Sequence, residues 1–333
     1  MAVDRVLPMI PADRIFIATN SIQASAVMEK LPDIPKENII LEPLFKDTAA
    51  AIGFAAVIVS EIYPDSVMVV LASDHLIKDE ESFRDSIRTA VNTAESEKAI
   101  VTLGIRPSYP ETGFGYLKVG VPLKKVKGCT TMQEGVDKHF VTIGQPAVVE
   151  AFCEKPKLEV AQQYLNSGNY LWNSGMFIFK LAVMMDAFKR LMPQHYKILK
   201  EIKALGIEKR NEKNKTLKAL FEKFTKISID FGIMERFEKT YVVPVDFGWN
   251  DVGSYTALEE LLPHNENNTV VQGTEIAELN SKENIIISTT GKKVSLLGIE
   301  GLVVVETADN ILICNKSEVQ NIKQLITNSK SNL

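Results

Sequence analysis

The chain has 333 residues, 45% of them apolar and 24% charged, with 38 basic against 42 acidic side chains for a net charge of −4. That is material for one large core with a small appendage, and the acidic balance argues against a nucleic-acid partner. Cys129, Cys153 and Cys314 are too scattered for a disulfide framework or a zinc site. The longest apolar run, residues 49–59, falls well short of the roughly 20 residues that span a bilayer. Met1-Ala2-Val3-Asp4-Arg5 lacks the apolar core of a secretory signal. The expected setting is the cytoplasm, with no membrane partner.

Residues 14–19, 38–43, 67–73 and 99–104 are continuous apolar runs, as expected of strands covered on both faces. Between them Asp47 and Thr48 can cap a helix running to Val59, and Phe83, Ile87, Val91 and Ala94 make one apolar helical stripe. Strands alternating with helices predict a three-layer α/β fold around a mostly parallel, Rossmann-like sheet. Further on, residues 115–120 and 147–153 read as strands, and residues 158–165 as a helix stopped at Gly168. Leu181, Met184, Met185, Phe188 and Leu191 line a helix closed by Pro193. Residues 194–226 read as peripheral, lysine-rich helix with a solvated face. After Pro263 the pattern changes to short strands at 284–288, 293–298, 301–305 and 310–314, a meander or one or two coils of a β-helix. Residues 318–325 read as a terminal helix. The expected domains are 1–262 and 263–333.

Ligands of open α/β sheets bind at the carboxyl ends of the strands. There, Leu71-Ala72-Ser73-Asp74-His75 ends a strand in a carboxylate, and Phe247-Gly248-Trp249-Asn250-Asp251-Val252-Gly253-Ser254 is a glycine-bracketed loop carrying a second. Two aspartates plus phosphate oxygens suit Mg²⁺; a helix cap and an aromatic-stapled turn are the plainer readings. Glu111-Thr112-Gly113-Phe114-Gly115 is a glycine-punctuated loop that matches no dinucleotide or Walker fingerprint. Phe152-Cys153-Glu154-Lys155-Pro156 sets an acid beside a base, suited to a hydroxyl and a phosphate. Trp172-Asn173-Ser174-Gly175 is a polar island in an apolar run, whose buried amide needs a partner, either backbone at a bulge or a sugar hydroxyl.

In this order the segments, with Glu42-Pro43 and Lys46-Asp47-Thr48-Ala49-Ala50, resemble the sugar-phosphate nucleotidyltransferases, on the branch that guanylylates mannose 1-phosphate. The resemblance covers essentially the whole chain. It implies transfer of GMP from GTP to mannose 1-phosphate, giving GDP-mannose and pyrophosphate, with a small left-handed β-helix as the tail. It implies that Asp74 and Asp251 hold Mg²⁺, that Gly113, Glu154 and Asn173 contact the sugar, and that Lys155 meets its phosphate. Asp74, Lys155 and Asp251 are then the catalytic set. Glu42 and Thr48 would lie against the nucleotide. The exposed strand edges of the tail would suit a homodimer.

Two departures stand out. The family's Asn-Thr-Ala-Pro-Ala reads Asp47-Thr48-Ala49-Ala50-Ala51 here, and Asp47 accepts hydrogen bonds without donating. The family's buried first strand and glycine-rich, arginine-bearing loop have no counterpart, and residues 3–7 resemble the end of the helix that follows them. The expectation is a longer gene product or an impaired enzyme. Two alternatives stay open: a nucleotidyltransferase for another hexose 1-phosphate or NTP, and a non-catalytic sugar-nucleotide-binding subunit.

Overall fold

The computed structural model of the chain describes residues 2–123, 141–206, 208, 210–322 and 325–326. The chain divides into two units, Met1–Ser73 with Ile77–Trp249, and Asp74–Leu76 with Asn250–Leu333.

The first unit begins with α1 (Ala2–Val6), β1 (Ile17–Thr19), α2 (Ala24–Lys30) and β2 (Ile39–Leu41), and β1 and β2 pair in parallel. Then comes α3 (Asp47–Ile62), whose alanine-rich, apolar sequence buries it over most of its length, as in a core helix. Asp47 and Thr48, expected as caps, are its first residues instead. The Thr48 hydroxyl accepts from the Ile229 amide (2.8 Å), so it ties the helix start to a distant segment. β3 (Val67–Val70) and β4 (Leu76–Ile77) lead into α4 (Glu80–Glu97). Asp79 caps α4 by accepting from Ser82 N (3.0 Å), and its inner stripe buries Phe83, Ile87 and Ala94, with Val91 half-buried. There follow β5 (Ile100–Ile105), β6 (Gly115–Pro122), β7 (Ala147–Glu154), α5 (Leu158–Ser167) and β8 (Tyr170–Lys180). Gly168 ends α5 at φ +70°, the left-handed conformation that closes helices. α6 (Leu181–Leu191), α7 (Pro193–Ala204) and α8 (Lys215–Glu222) come next, and Pro193, expected to close α6, is the first residue of α7. A single π-helical turn, Asp230–Met234, precedes β9 (Thr240–Val245) and β10 (Trp249–Asn250).

The central sheet has the order β3-β8-β5-β9-β7-β6, with β6 also pairing β8. Side chains along β8 alternate between two cores. Phe177 and Phe179 join α3, α6, α7 and α8 on one side, while Met176 and Ile178 join α4 on the other. That alternation makes the three layers. Strands β3, β5, β9 and β6 run one way and β8 and β7 the other, so most strands share a direction although β5–β9 is the one parallel ladder of this sheet among the described residues. β8 causes the difference, because it runs antiparallel between β3 and β5. β3 has a ladder partner on its β8 side alone among the described residues, and β1–β2 forms a separate sheet. Side chains carry the link: Phe16 and Met68 pack against one cluster, and Ile17 and Leu41 share another with Val67 and Val69.

Gly104 lies at a register shift between β5 and β8. A Cβ there would stand 2.5 Å from Val242 Cγ2 and 2.7 Å from Leu171 Cδ1. Gly104→Ala is therefore expected to destabilise the first unit by roughly 1–3 kcal/mol, the usual cost of overpacking. Urea unfolding checks this, and an unchanged midpoint would contradict it.

In the second unit α9 (Leu258–Leu261) precedes β11 (Val270–Gln272), β12 (Ile276–Leu279), β13 (Ile285–Ser288), β14 (Val294–Leu297), β15 (Leu302–Glu306) and β16 (Ile311–Asn315). The ladders β11–β13–β15 and β12–β14 are parallel, with Ile285 over Val303 and Ile276 over Val294. This is β-helix-like coiling and not a meander; β16 then caps it antiparallel to β15. Buried Asn284 ties successive coils, donating to Ile299 O (3.2 Å) and accepting from Leu302 N (2.9 Å). Glu306 accepts from Ser288, Thr290 and Lys292, bonds that hold its pKa down at about 2. Of the expected helix at 318–325, residues 318–321 lie in the 3-10 turn Lys316–Asn321, and residues 323 and 324 lie outside the described residues.

Candidate functional site

Within the first unit, the ends of β7 and β8 bring together residues far apart in sequence. Asn173 is buried on β8, and both ends of its amide are engaged. Its Oδ1 accepts from the Thr102 hydroxyl (2.9 Å), and its Nδ2 donates to Asp230 Oδ1 (3.0 Å). One N–H and one lone pair remain for a ligand. The backbone N–H of Glu154, at the end of β7, donates to Glu235 Oε1 (3.1 Å). The next residue, Lys155, turns the chain at φ +50°, a conformation that costs a non-glycine residue on the order of 1 kcal/mol. Its amide donates to Phe114 O (3.2 Å), and its ammonium stands 3.6 Å from Glu154 Oε1, largely in solvent.

The 111–115 loop abuts this turn. Gly113 N donates to Glu111 Oε1 (2.6 Å), which folds the loop on itself. A Cβ at Gly115 would stand 2.5 Å from Glu154 Oε2, so the glycine leaves the space that the carboxylate fills. The Phe114 ring meets Trp172 and Trp249 edge-on, each at 5.3 Å between centroids. The Trp249 indole is thus part of an aromatic cluster, half-buried beside the loop.

Electrostatics follow from enclosure. The Glu154 pKa is raised to about 7, chiefly by burial and then by the neighbouring Asp230, against the lowering effect of Lys155. Burial also raises the pKa of Asp230. Three carboxylates, Glu154, Asp230 and Glu235, and one ammonium therefore share this corner, with Glu154 poised near neutrality.

Glu42 follows β2 and extends its ladder, donating from its N–H to Thr19 O (2.8 Å). Its Oε2 is buried without a hydrogen-bond partner, and burial raises its pKa to about 7. From about pH 4.5 to 7 the folded state thus keeps a proton that the unfolded chain has released. The stability it contributes is complete below pH 4.5 and is lost as pH rises through 7. Glu42→Gln is expected to be near neutral at pH 4.5 and stabilising by about 1–2 kcal/mol at pH 8, allowing for partial exposure. Urea unfolding at the two pH values checks this; a pH-independent difference would refute it.

Asp74 and Asp251 belong to the second unit. Asp74 is exposed; Asp251 is half-buried and accepts from Gly253 N (3.1 Å), while Asn250 accepts from Val252 N (2.8 Å). These two consecutive turns force Val252 to φ +50°, an outlier for a β-branched residue. No cluster of three or more His, Cys, Asp or Glu side chains suited to a metal occurs among the described residues. Asp74 and Asp251, if they meet a cation, would offer it two carboxylates. That hard, oxygen-only set fits Mg²⁺, which keeps waters and takes phosphate oxygens.

Of the expected ligand-binding residues, Gly113, Glu154, Lys155 and Asn173 come together. Thr48 bonds Ile229, the neighbour of Asp230, and Glu42 stands at the end of β2. Asp230, Glu235 and Thr102 were not read from the sequence. For Asp230 and Glu235 the signal is a pair of acids spaced around Gly232 in an apolar run; Thr102 has none.

The first unit is thus an α/β domain with acidic, amide and ammonium side chains gathered at its strand ends, and the second is β-helix-like. The nucleotidyl transferase profile matches residues 9–268, and the mannose-phosphate isomerase/GMP-like β-helix profile residues 275–328. The chain belongs to the nucleotidyl transferase family. It is 35% identical over 314 residues to mannose-1-phosphate guanylyltransferase 2 of Escherichia coli O157:H7, covering 93% of this chain and 62% of that protein. It is 36% identical over 309 residues to the mannose-1-phosphate guanylyltransferase ManC of Salmonella typhimurium LT2, covering 92% and 60%. It thus spans about three-fifths of these relatives' lengths. A crystal structure titled mannose-1-phosphate geranyltransferase, from Thermus thermophilus, superposes with a TM-score of 0.79 at 28% identity, over 99% of this chain and 88% of that one. No described helix is long and apolar enough to cross a membrane.

Proposed function

We propose that the chain transfers GMP from GTP to mannose 1-phosphate in the cytoplasm. A phosphate oxygen of the sugar phosphate bonds to the α-phosphorus of GTP, and the bond from that phosphorus to the bridging oxygen of the β-phosphate breaks. GDP-mannose forms and pyrophosphate leaves with the electron pair. The sugar phosphate is ionised at neutral pH, so no strong general base is needed. The work is positioning and charge neutralisation.

The observation that carries this reading is the corner at the strand ends. Asn173 has one donor and one acceptor free for sugar hydroxyls, Glu154 is a second acceptor when ionised, and Lys155 is an exposed cation for the phosphate. Gly113 lies in the adjoining loop and carries no side chain to hinder a ligand's approach. The unpartnered Glu42 oxygen would accept from the nucleotide, and guanine offers two adjacent N–H donors. Thr48 would lie beside the nucleotide, its hydroxyl accepting from Ile229 N and keeping its O–H to donate. Asp74 and Asp251 would hold Mg²⁺, which when bound supplies charge for the phosphate oxygens.

The test is GDP-mannose formation by this 333-residue chain from GTP, Mg²⁺ and mannose 1-phosphate, with other NTPs and hexose 1-phosphates in competition. Product from the guanylyl pair alone supports the reading. Preference for another pair would move the substrate assignment, and binding of GDP-mannose without turnover would move the chain to a binding subunit.

A further inference from the structure

The π-helical turn that follows the lysine-rich helices is the unassigned feature with the most on it. Its apolar residues Ile233 and Met234, and Ile229 just before it, are sunk in the main core and anchor it. A Cβ at Gly232 would stand 2.6 Å from Met192 Sδ, so the turn is pressed against the α6–α7 junction. Its defining bond runs from Glu235 N to Asp230 O (3.0 Å). With that i→i+5 bond, residue 235 returns close to the face of residue 230. In an α-helix it would lie about 140° round the axis. The consequence is that two acids five apart in sequence brace two different ligand-facing residues: Asp230 holds the Asn173 amide, and Glu235 holds the Glu154 backbone.

We propose that Asp230 and Glu235 are positioning residues for the sugar phosphate, Asp230 by fixing which way the Asn173 amide faces and Glu235 by fixing the end of β7 that carries Glu154 and Lys155. The argument for Asp230 is one of donor and acceptor identity. The Thr102 hydroxyl can donate to an amide oxygen or accept from an amide nitrogen, so it tolerates either orientation of Asn173. An ionised carboxylate only accepts. It therefore selects the orientation with Nδ2 toward Asp230 and so defines the polarity of the free edge. Glu235 has a simpler task, since a backbone N–H needs only an oxygen.

That difference gives the test its shape, and the proposal rests on the sugar-phosphate reading above. Asp230→Asn keeps shape and bonding capacity but lets both amides flip together. It is expected to raise KM for mannose 1-phosphate about tenfold, the scale of one misdirected hydrogen bond, with KM for GTP unchanged. In an Asn173→Ala background the same substitution should have no further effect, the non-additivity of a coupled pair. Glu235→Ala should weaken sugar-phosphate binding, and Glu235→Gln, which still offers an oxygen, should restore it. A structural role alone would shift both KM values and add to Asn173→Ala.

A second readout does not depend on turnover. In protein labelled with ¹⁵N-asparagine, the Asn173 side-chain amide should give one sharp pair of signals in the parent and a broadened or doubled pair in Asp230→Asn. If the parent neither binds nor converts mannose 1-phosphate, the substrate reading fails while the amide signals still decide the positioning role. Unchanged amide signals in Asp230→Asn, or additive effects with Asn173→Ala, would overturn the proposal.

Discussion

Asp251→Asn is expected to leave folding nearly intact and to lower kcat for guanylyl transfer on the order of 10²–10³-fold, as when a charged group at the transferring phosphates is lost. The local fold should survive because the carboxylate accepts from Gly253 N a bond that an asparagine oxygen in the same place accepts equally well. The consecutive turns through Asn250 and Asp251 therefore persist, together with the left-handed Val252 that they impose. What disappears is the negative charge. Steady-state kinetics and urea unfolding measure the two halves of the prediction, and Mn²⁺ titration reads the lost cation affinity directly. Turnover within threefold of the parent would remove Asp251 from the catalytic set.

Much of the fold is legible where a single physical signal dominates. The apolar run at β5 and the stripe on α4 announce their elements because burial on two faces, or on one, leaves a trace in the sequence. β9 is harder to read. Pro244 demotes residues 240–245 from a central strand, yet the run is buried and sits between β5 and β7. Its pairing with β7 involves only Tyr241 and Val242, so the antiparallel ladder has ended before the proline. The mixed ladders of the sheet were likewise out of reach. Strand direction depends on where β8 inserts, and nothing in an apolar run states its neighbours.

The same divide runs through the candidate site. Glu154, Lys155 and Asn173 stand out locally, as polar residues at the end of, or inside, apolar strands, where they need partners. Their partners do not stand out. Asp230 and Glu235 are five apart, a spacing that α-helical reasoning puts on different faces, and they share a face only because the turn is π-helical. Thr102 looks like any β-branched strand residue. The residues that would touch a ligand are thus readable from composition and context, whereas those that orient them require the register of the backbone.

Lys155→Met should be as damaging as the loss of Asp251, and its signature lies in pH. The lysine side chain is largely exposed and contributes little to stability through its contact with Glu154. In the proposed reaction its charge would act twice, on the substrate phosphate and on Glu154, whose pKa of about 7 it holds down against burial and Asp230. In the parent, Glu154 ionises as pH rises through about 7, and only the ionised form serves purely as an acceptor for a sugar hydroxyl. Affinity for mannose 1-phosphate should therefore climb between pH 6 and 8. With Lys155 gone the Glu154 pKa moves further up, so the climb shifts to higher pH while kcat/KM at pH 7 falls on the order of 10²–10³-fold. The substrate's own second ionisation, at about 6, is common to parent and variant and cancels in the comparison. Glu154→Gln removes the titrating group, and in that background Lys155→Met should lower kcat/KM without moving any midpoint. An identical pH midpoint in the parent and in Lys155→Met would show that the two side chains are not coupled as their 3.6 Å separation implies.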